Sequence, residues 1–177
     1  MTSLEITELL GDGIGAELRE SVHAVASRLP LEIAFAPVDL SLERRRRAAS
    51  EAYDEAVASL GRTKLGLKYP TVTAEESPNA VLRTRLELSV IHRPVHSLRG
   101  IESAFKEKVA LEIVRVATGG TYDDPGQRIG NDVAVSLRII ERRPCAEAAR
   151  FAFQFARAHG LSVTSSSKHT IQRATDG

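Results

Sequence analysis

Residues 77–94 concentrate side chains that bind anions. Their sequence, SPNAVLRTRLELSVIHRP, combines three arginines with a serine and an asparagine. Guanidinium groups bind carboxylates and phosphates through paired hydrogen bonds. Arg83 and Arg93 fall on two successive predicted elements, so we expect them to clamp one anion from two sides. The alternative is that Arg83 and Arg85 only solvate the surface of a helix, as most exposed charges do.

A helix followed by a strand would position these side chains. Ser77 before Pro78 is typical of a helix N-cap with proline at the first helical position. Asn79 and Arg83 stand at i and i+4 and therefore share a helix face, beside a stripe of leucines. The residues after that helix predict a strand that ends in a rigid turn at Arg93 and Pro94.

The order of these residues resembles the substrate segment of the isocitrate and 3-isopropylmalate dehydrogenases, the β-decarboxylating dehydrogenase family. The matching string is Ser77-x-Asn79-x-x-x-Arg83-x-x-Leu86-Glu87-Leu88 followed by Arg93-Pro94. The resemblance implies that Ser77, Asn79, Arg83 and Arg93 bind the substrate. In that family the arginines hold the carboxylates of a 2-hydroxy acid.

The N-terminal turn GDGIG, residues 11–15, has two interpretations. Gly11-x-Gly13-x-x-Ala16 between a predicted strand and helix, with Asp39 farther on, satisfies the dinucleotide-binding fingerprint of a Rossmann fold. The turn followed by Ala16 and Glu17 also resembles the dehydrogenase family's GDGIG-P-E signature, with alanine in place of proline. That resemblance implies a different sheet, with the turn beside the nicotinamide side of the cofactor.

Lys68-Tyr69-Pro70, followed by two threonines, resembles the family's Lys-Gly-Pro segment. The match implies that Lys68 contacts the substrate. Tyr69 replaces the glycine and the loop after it is shorter, so we expect a pocket of altered shape.

Two further strings supply candidate acid–base groups. VRVATGGTY, residues 114–122, resembles the family's V-R-E-N-T-E-G-x-Y, which implies that Arg115 is a third substrate-binding arginine and Tyr122 the general acid. Lys168-His169-Thr170-Ile171 resembles H-K-x-N-I, which makes Lys168 the catalytic lysine, reaching in from a partner subunit. Without the resemblance, Tyr122 is as readily a packing residue in a glycine-rich loop, and Lys168 an inert exposed lysine.

Composition narrows the classes of partner. A net charge of +1 provides no global basic field, and we interpret the ERRRR run at 43–47 as a solvated helix face, so no nucleic acid is expected. No run of apolar residues is long enough to predict a membrane-spanning segment. The lone Cys145 favours a reducing compartment, and the sequence predicts a cytoplasmic protein.

The fold predicted from these elements is α/β, a truncated mixed-sheet dehydrogenase-like fold with two abbreviated lobes, 1–97 and 98–177. A helix ending at His159 carries Phe151, Phe153 and Phe155, which cannot all face one core. The side chain left outside would be buried in a dimer seam, and we expect a homodimer.

The resemblance covers nearly the whole chain but only the N-terminal half of a family member. We therefore assign no metal ligands and no cofactor-binding residues, and we expect no cofactor for the chain alone. Three hypotheses remain open: a non-oxidative enzyme acting on a keto or hydroxy polycarboxylate; an NAD(P)- and Mg-dependent half-subunit completed by another chain; and a non-catalytic ligand-binding or interaction module.

Overall fold

A computed structural model describes residues 3–105, 107–121 and 124–177. The chain divides into two compact units, Met1–Leu86 and Glu87–Gly177. The predicted division into lobes 1–97 and 98–177 stays a prediction, because it refers to the lobes of the resembling family and the two units are defined by compactness.

The first unit is built on a parallel sheet. In chain order it contains β1 (Ser3–Leu10), α1 (Gly15–Ala26), β2 (Glu32–Asp39), α2 (Leu42–Thr63), β3 (Gly66–Lys68) and α3 (Pro78–Arg85). The strand order is β2-β1-β3, so β1 is central and both of its neighbours run parallel to it. A parallel central strand of this kind needs cover on both faces.

Helix α2 takes in the whole arginine run and is interrupted after it by a kink at Ala48, whose backbone is non-helical (φ −156°, ψ 65°). Its N-cap is Ser41, whose hydroxyl accepts the N–H of Arg44 at 3.3 Å. The interpretation of residues 43–47 as a solvated face is wrong for Arg45. This side chain is buried and donates to the carbonyl oxygens of Leu40 and Val72, because it faces the sheet side of the helix.

The core of the first unit lies between α2, α3 and one face of the sheet. It consists of Leu9, Val38, Leu40, Ala52, Tyr53, Ala56 and Leu82. Helix α1 contributes little to it, although its sequence shows apolar residues at helical spacing: Leu18, Val25 and Leu29 are exposed. The reason is that α1 contacts the sheet through Arg19 and His23.

The second unit contains antiparallel strand pairs and one long helix. Its elements are β4 (Val90–His96), β5 (Ala110–Val116), β6 (Gln127–Ile129), β7 (Val133–Val135), α4 (Arg142–His159) and α5 (Arg173–Asp176). β4 pairs with β5, and β6 pairs with β7. Parallel pairing in the first unit and antiparallel pairing in the second give the mixed α/β architecture that the sequence predicts.

Three local predictions about this unit are wrong. Pro94 does not end a strand but lies inside β4, opposite Glu112. Proline is tolerated there because β4 pairs on one side with β5 and its other side has no assigned partner among the described residues. The sequence of residues 161–165 predicts a strand, and none forms there. The apolar alternation over 132–140 predicts a strand of which β7 is the part that forms.

Helix α4 ends as predicted, with Gly160 in the left-handed conformation at φ 66°. Phe151 and Phe155 lie against His92 of β4. Phe153 is 64% exposed, which confirms that the three phenylalanines do not share one core. Within the part of the chain that the structure describes, no helix is long and apolar enough to span a bilayer.

Candidate functional site

The serine–asparagine–arginine segment of the first unit folds as its sequence indicates. The Ser77 hydroxyl accepts the N–H of Ala80 at 3.4 Å, and Pro78 opens α3. Leu82 is buried in the core and fixes the helix. Asn79 is consequently exposed and Arg83 half-buried on the polar side of α3, where both can meet a ligand.

Lys68, at the end of β3, is held by its own loop. Its ammonium donates to the carbonyl oxygen of Tyr69 at 3.0 Å and to the hydroxyl of Thr71 at 2.8 Å. Burial lowers the pKa of Lys68, the nearby Arg45 lowers it further, and Asp12 opposes both. An ammonium group has three N–H donors, so one donor remains for a ligand.

The GDGIG turn is fastened to the start of α2 and to the loop after β3. Asp12 accepts the backbone N–H groups of Leu42 and Val72, each at 2.8 Å, and its carboxylate lies 3.5 Å from Arg45. Burial alone would raise the pKa of Asp12, but these partners together lower it. A side chain at Gly11 would collide with the carbonyl oxygen of Pro70, so this position requires glycine.

A buried carboxylate lies behind this turn, and sequence analysis missed it. Glu8 of β1 is fully buried and accepts hydrogen bonds from Arg19 Nε at 2.9 Å, His23 Nε2 at 2.6 Å and the Tyr69 hydroxyl at 2.9 Å. Burial would raise the pKa of Glu8, but the three donors outweigh it and lower the pKa. Burial and the neighbouring Glu8 charge raise the pKa of Tyr69 to about 12.

Two signals in the sequence pointed to this network. Glu8 directly precedes two leucines at the end of β1, and Arg19 and His23 are spaced four apart on the following helix. Tyr69, which replaces the family's glycine, supplies the fourth member. Its hydroxyl donates to Glu8 and its Cβ lies beside Gly15, so the substitution adds a buried hydrogen bond.

The described residues offer no metal site, whereas the GDGIG turn is open to solvent. The described residues contain no group of three His, Cys, Asp or Glu side chains that could hold a metal ion. The turn itself presents Ile14 with 62% of its surface exposed, beside Gly13 with open space around it. The placement of the nicotinamide beside this turn, which the resemblance implies, stays a prediction.

In the second unit, the β4–β5 ribbon brings two of the predicted substrate arginines to one face. Ile91 pairs with Arg115, and Arg93 pairs with Ile113. Directly opposed residues share a face, and so do alternate residues along a strand, so Arg93 and Arg115 are diagonal neighbours. Both are exposed, and α4 lies on the opposite face, against His92. We call the surface around these two arginines the arginine face.

A cavity of about 590 Å³ in the second unit is lined partly by Arg115. Its wall also includes residues 118–121, which lead to Tyr122, and residues 165–167, which lead to Lys168. Tyr122 itself lies outside the described residues. The N–H of Lys168 donates to the Asp176 carboxylate at 3.0 Å, in an irregular segment and not at the predicted strand end.

A second network missed from sequence lies on the α4 side of the ribbon. Glu112 of β5 accepts His92 Nε2 at 2.6 Å and His96 Nε2 at 2.8 Å. The two histidines, four apart in the HRPVH string, were its signal: on a strand they share a face.

Known proteins similar to this chain agree on one family. The isocitrate/isopropylmalate dehydrogenase family model matches residues 5–177. The chain is 33% identical over 181 residues to the mitochondrial NAD isocitrate dehydrogenase catalytic subunit 5 of Arabidopsis thaliana, covering 99% of this chain and 48% of the relative. It is 33% identical over 172 residues to the chloroplastic 3-isopropylmalate dehydrogenase of Solanum tuberosum, covering 94% and 48%.

The solved structures extend this agreement to the fold. The isocitrate dehydrogenase of Methylococcus capsulatus superposes with a TM-score of 0.85 at 25% identity, covering 98% of this chain and 54% of that one. The chain spans about half the length of the curated relatives it matches. Of the two interpretations of the GDGIG turn, the family signature is therefore the one confirmed. This chain belongs to the isocitrate/isopropylmalate dehydrogenase family.

Proposed function

We propose that the chain binds a keto or hydroxy polycarboxylate and transforms it by non-oxidative acid–base chemistry: decarboxylation, enolisation, dehydration or isomerisation. The observation that carries the proposal is the arginine face, where Arg93 and Arg115 lie exposed on one side of the β4–β5 ribbon. Two guanidinium groups on one face suit a ligand with more than one carboxylate.

Each predicted site residue takes a separate part in this proposal. Arg93 and Arg115 bind carboxylates and stabilise the enolate that forms when a proton or CO₂ leaves. Where a C–H proton leaves, Lys168 accepts it, and Tyr122 protonates the enolate carbon that is left by loss of the proton or of CO₂. Arg83, with Ser77, Asn79 and Lys68, keeps the substrate-binding role that the family resemblance implies.

A second candidate function is favoured by the length of the relatives. The chain covers 48% of the NAD isocitrate dehydrogenase catalytic subunit and 48% of the 3-isopropylmalate dehydrogenase. In this alternative the chain is an NAD(P)- and Mg-dependent half-subunit, and another polypeptide supplies the metal and adenine sites. The remaining hypothesis, a binding module without catalysis, needs the arginine face but neither Tyr122 nor Lys168.

We further propose that the chain forms a homodimer in the cytoplasm. The exposed ring of Phe153 on α4, a large apolar group facing solvent, supports a second copy as its cover. The single cysteine supports a reducing compartment.

Two variants separate the catalytic proposal from simple binding. Lys168→Ala and Tyr122→Phe should each abolish turnover of the polycarboxylate, measured by NMR of the products, while calorimetry still detects binding. Arg115→Ala should remove binding, and Arg99→Ala, an exposed arginine away from the paired strands, is the matched control. Unchanged turnover in both variants would contradict the acid–base roles of Lys168 and Tyr122. Binding by the unmodified chain without any turnover would leave the binding module.

The half-subunit alternative has its own test. It requires that NAD(P)⁺ and a divalent ion bind when a second polypeptide bearing the family's C-terminal half is added. Absence of such binding, together with turnover by this chain alone, rules that alternative out.

A further inference from the structure

The Glu112 carboxylate and its two histidines lie directly behind the arginine face. His92 immediately precedes Arg93 in β4, and adjacent residues of a strand point to opposite faces. Glu112 stands opposite Pro94, with one histidine diagonal to it on each side. The side chains of His92 and Glu112 are 25% and 19% exposed, so the carboxylate is partly shielded from water.

The groups packed against this cluster are mostly uncharged. Helix α4 places the rings of Phe151 and Phe155 at 5.5 and 4.7 Å from the His92 ring. Beyond these two rings along α4 lies the titratable side chain of His159, whose ring stacks on Phe155 at 4.0 Å. The acidic side chain of α4 near β4 is Glu147, which is engaged by Ser89 and Arg143.

Protonation changes the charge of this cluster by two. The hydrogen bond from His96 lowers the Glu112 pKa, burial opposes it, and His92 lowers the pKa further, so the carboxylate stays ionised above that lowered value. An imidazole changes charge between about pH 5 and 8. With both histidines protonated the cluster carries a net positive charge, and with both neutral it carries the negative charge of Glu112.

We propose that His92, Glu112 and His96 make anion binding at the arginine face proton-linked, with tighter binding when the histidines are protonated. This inference rests on the proposed function, because it assumes that Arg93 and Arg115 bind a carboxylate ligand. A positive cluster attracts the anion through the thin ribbon, and a negative one repels it. Two charges about 10 Å from a dianion change its affinity by about fivefold in low salt.

The test uses ligands whose own charge is constant over the range. Oxalate and sulfate remain dianions from pH 5.5 to 8, so any pH dependence of their binding belongs to the protein. Calorimetry of the full chain at low salt should give a dissociation constant about fivefold larger at pH 8 than at pH 5.5. The His92→Gln/His96→Gln double variant should lose this dependence, and His159→Gln should keep it.

Glu112→Gln supplies a second readout. The variant removes the negative charge of the cluster, so oxalate and sulfate should bind it more tightly than the unmodified chain at pH 8. A double variant that retains the full pH dependence, or ligand affinity that is flat with pH in the unmodified chain, overturns the inference. Failure of oxalate, sulfate and every di- or tricarboxylate to bind at any pH instead overturns the proposed function.

Discussion

The two compact units differ sharply in how they bury apolar side chains. In the first, Leu9, Val38 and Leu40 pack with residues of α2 and α3 into a continuous core. In the second, the buried apolar residues among those described are three alanines, Ala117, Ala148 and Ala156. The same chain therefore contains one region with a core of large side chains and one that presents its large side chains to solvent.

Large apolar residues of the second unit are exposed on four of its elements, β5, β6, β7 and α4. They are Leu111 and Ile113 on β5, Ile129 on β6, Val133 and Val135 on β7, and Phe153 on α4. A strand pair and a helix with so little buried surface are marginal by themselves. The first unit therefore has a core of its own, and we expect the second to gain stability from the proposed association.

The core substitution Leu40→Ala should have the largest effect and tests the first half of this comparison. Leu40 is fully buried, so its truncation should lower the free energy of unfolding by about 3 kcal/mol. Leu98→Ala, at a residue 69% exposed in the second unit, is the matched control and should change it by less than about 0.5 kcal/mol. Urea denaturation followed by circular dichroism measures both. A loss of stability in Leu98→Ala as large as that in Leu40→Ala would contradict the difference in burial between the two units.

Removing the buried charge of Glu8 should have a smaller, pH-dependent effect. Glu8→Gln should cost about 2 kcal/mol at pH 7, since charge-assisted hydrogen bonds are replaced by neutral ones. The folded-state pKa of Glu8 lies below its usual 4.5. Its stabilisation is therefore fully present above pH 4.5 and is lost as pH falls through the folded-state value.

Unfolding curves at pH 7 and below pH 4.5 measure this effect. The gap in stability between the unmodified chain and Glu8→Gln should narrow at the lower pH. Tyr69→Phe, which removes one of the three donors, should cost about 1 kcal/mol. A gap that is constant with pH would show that the network does not depend on the charge of Glu8.

A further prediction concerns association of the second unit. Phe153→Ser should weaken the homodimer by about tenfold and leave the first unit's unfolding unchanged, because burial of a phenylalanine ring contributes a few kcal/mol at most. Sedimentation velocity over a concentration series measures the dimer. Ile171→Ser, at another apolar residue, 78% exposed and off the α4 surface, is the control. A monomer at all concentrations before substitution would contradict the dimer.

Sequence alone predicted the elements whose signals are local. Ser77 and Pro78 begin α3 and Gly160 ends α4, because caps depend on a few neighbouring residues. Arg83, Arg93 and Arg115 were identified through resemblance and remain a prediction as site residues. That Arg93 and Arg115 share a face follows from the β4–β5 register, which the sequence does not give.

The errors of sequence interpretation arose where distant residues meet. Arg45 was assigned to a solvated run, yet its side chain is buried and donates hydrogen bonds to the carbonyl oxygens of Leu40 and Val72. In the sequence Glu8 is an ordinary strand residue. Its hydrogen-bond donor Tyr69 lies far along the chain and meets it only in the folded protein. Such burial depends on tertiary pairing, which hydrophobic periodicity does not encode.

The most direct test of the proposed carboxylate site is calorimetry of the purified chain with NAD⁺, NADP⁺, Mg²⁺ and a panel of di- and tricarboxylates, repeated with Arg93→Ala and Arg115→Ala. We predict that a polycarboxylate binds without added cofactor or metal, and that each arginine variant weakens it at least tenfold, as expected for a lost charge-assisted pair. Carboxylate affinity unchanged in both variants, or binding of NAD(P)⁺ with metal-dependent affinity, would contradict the proposal.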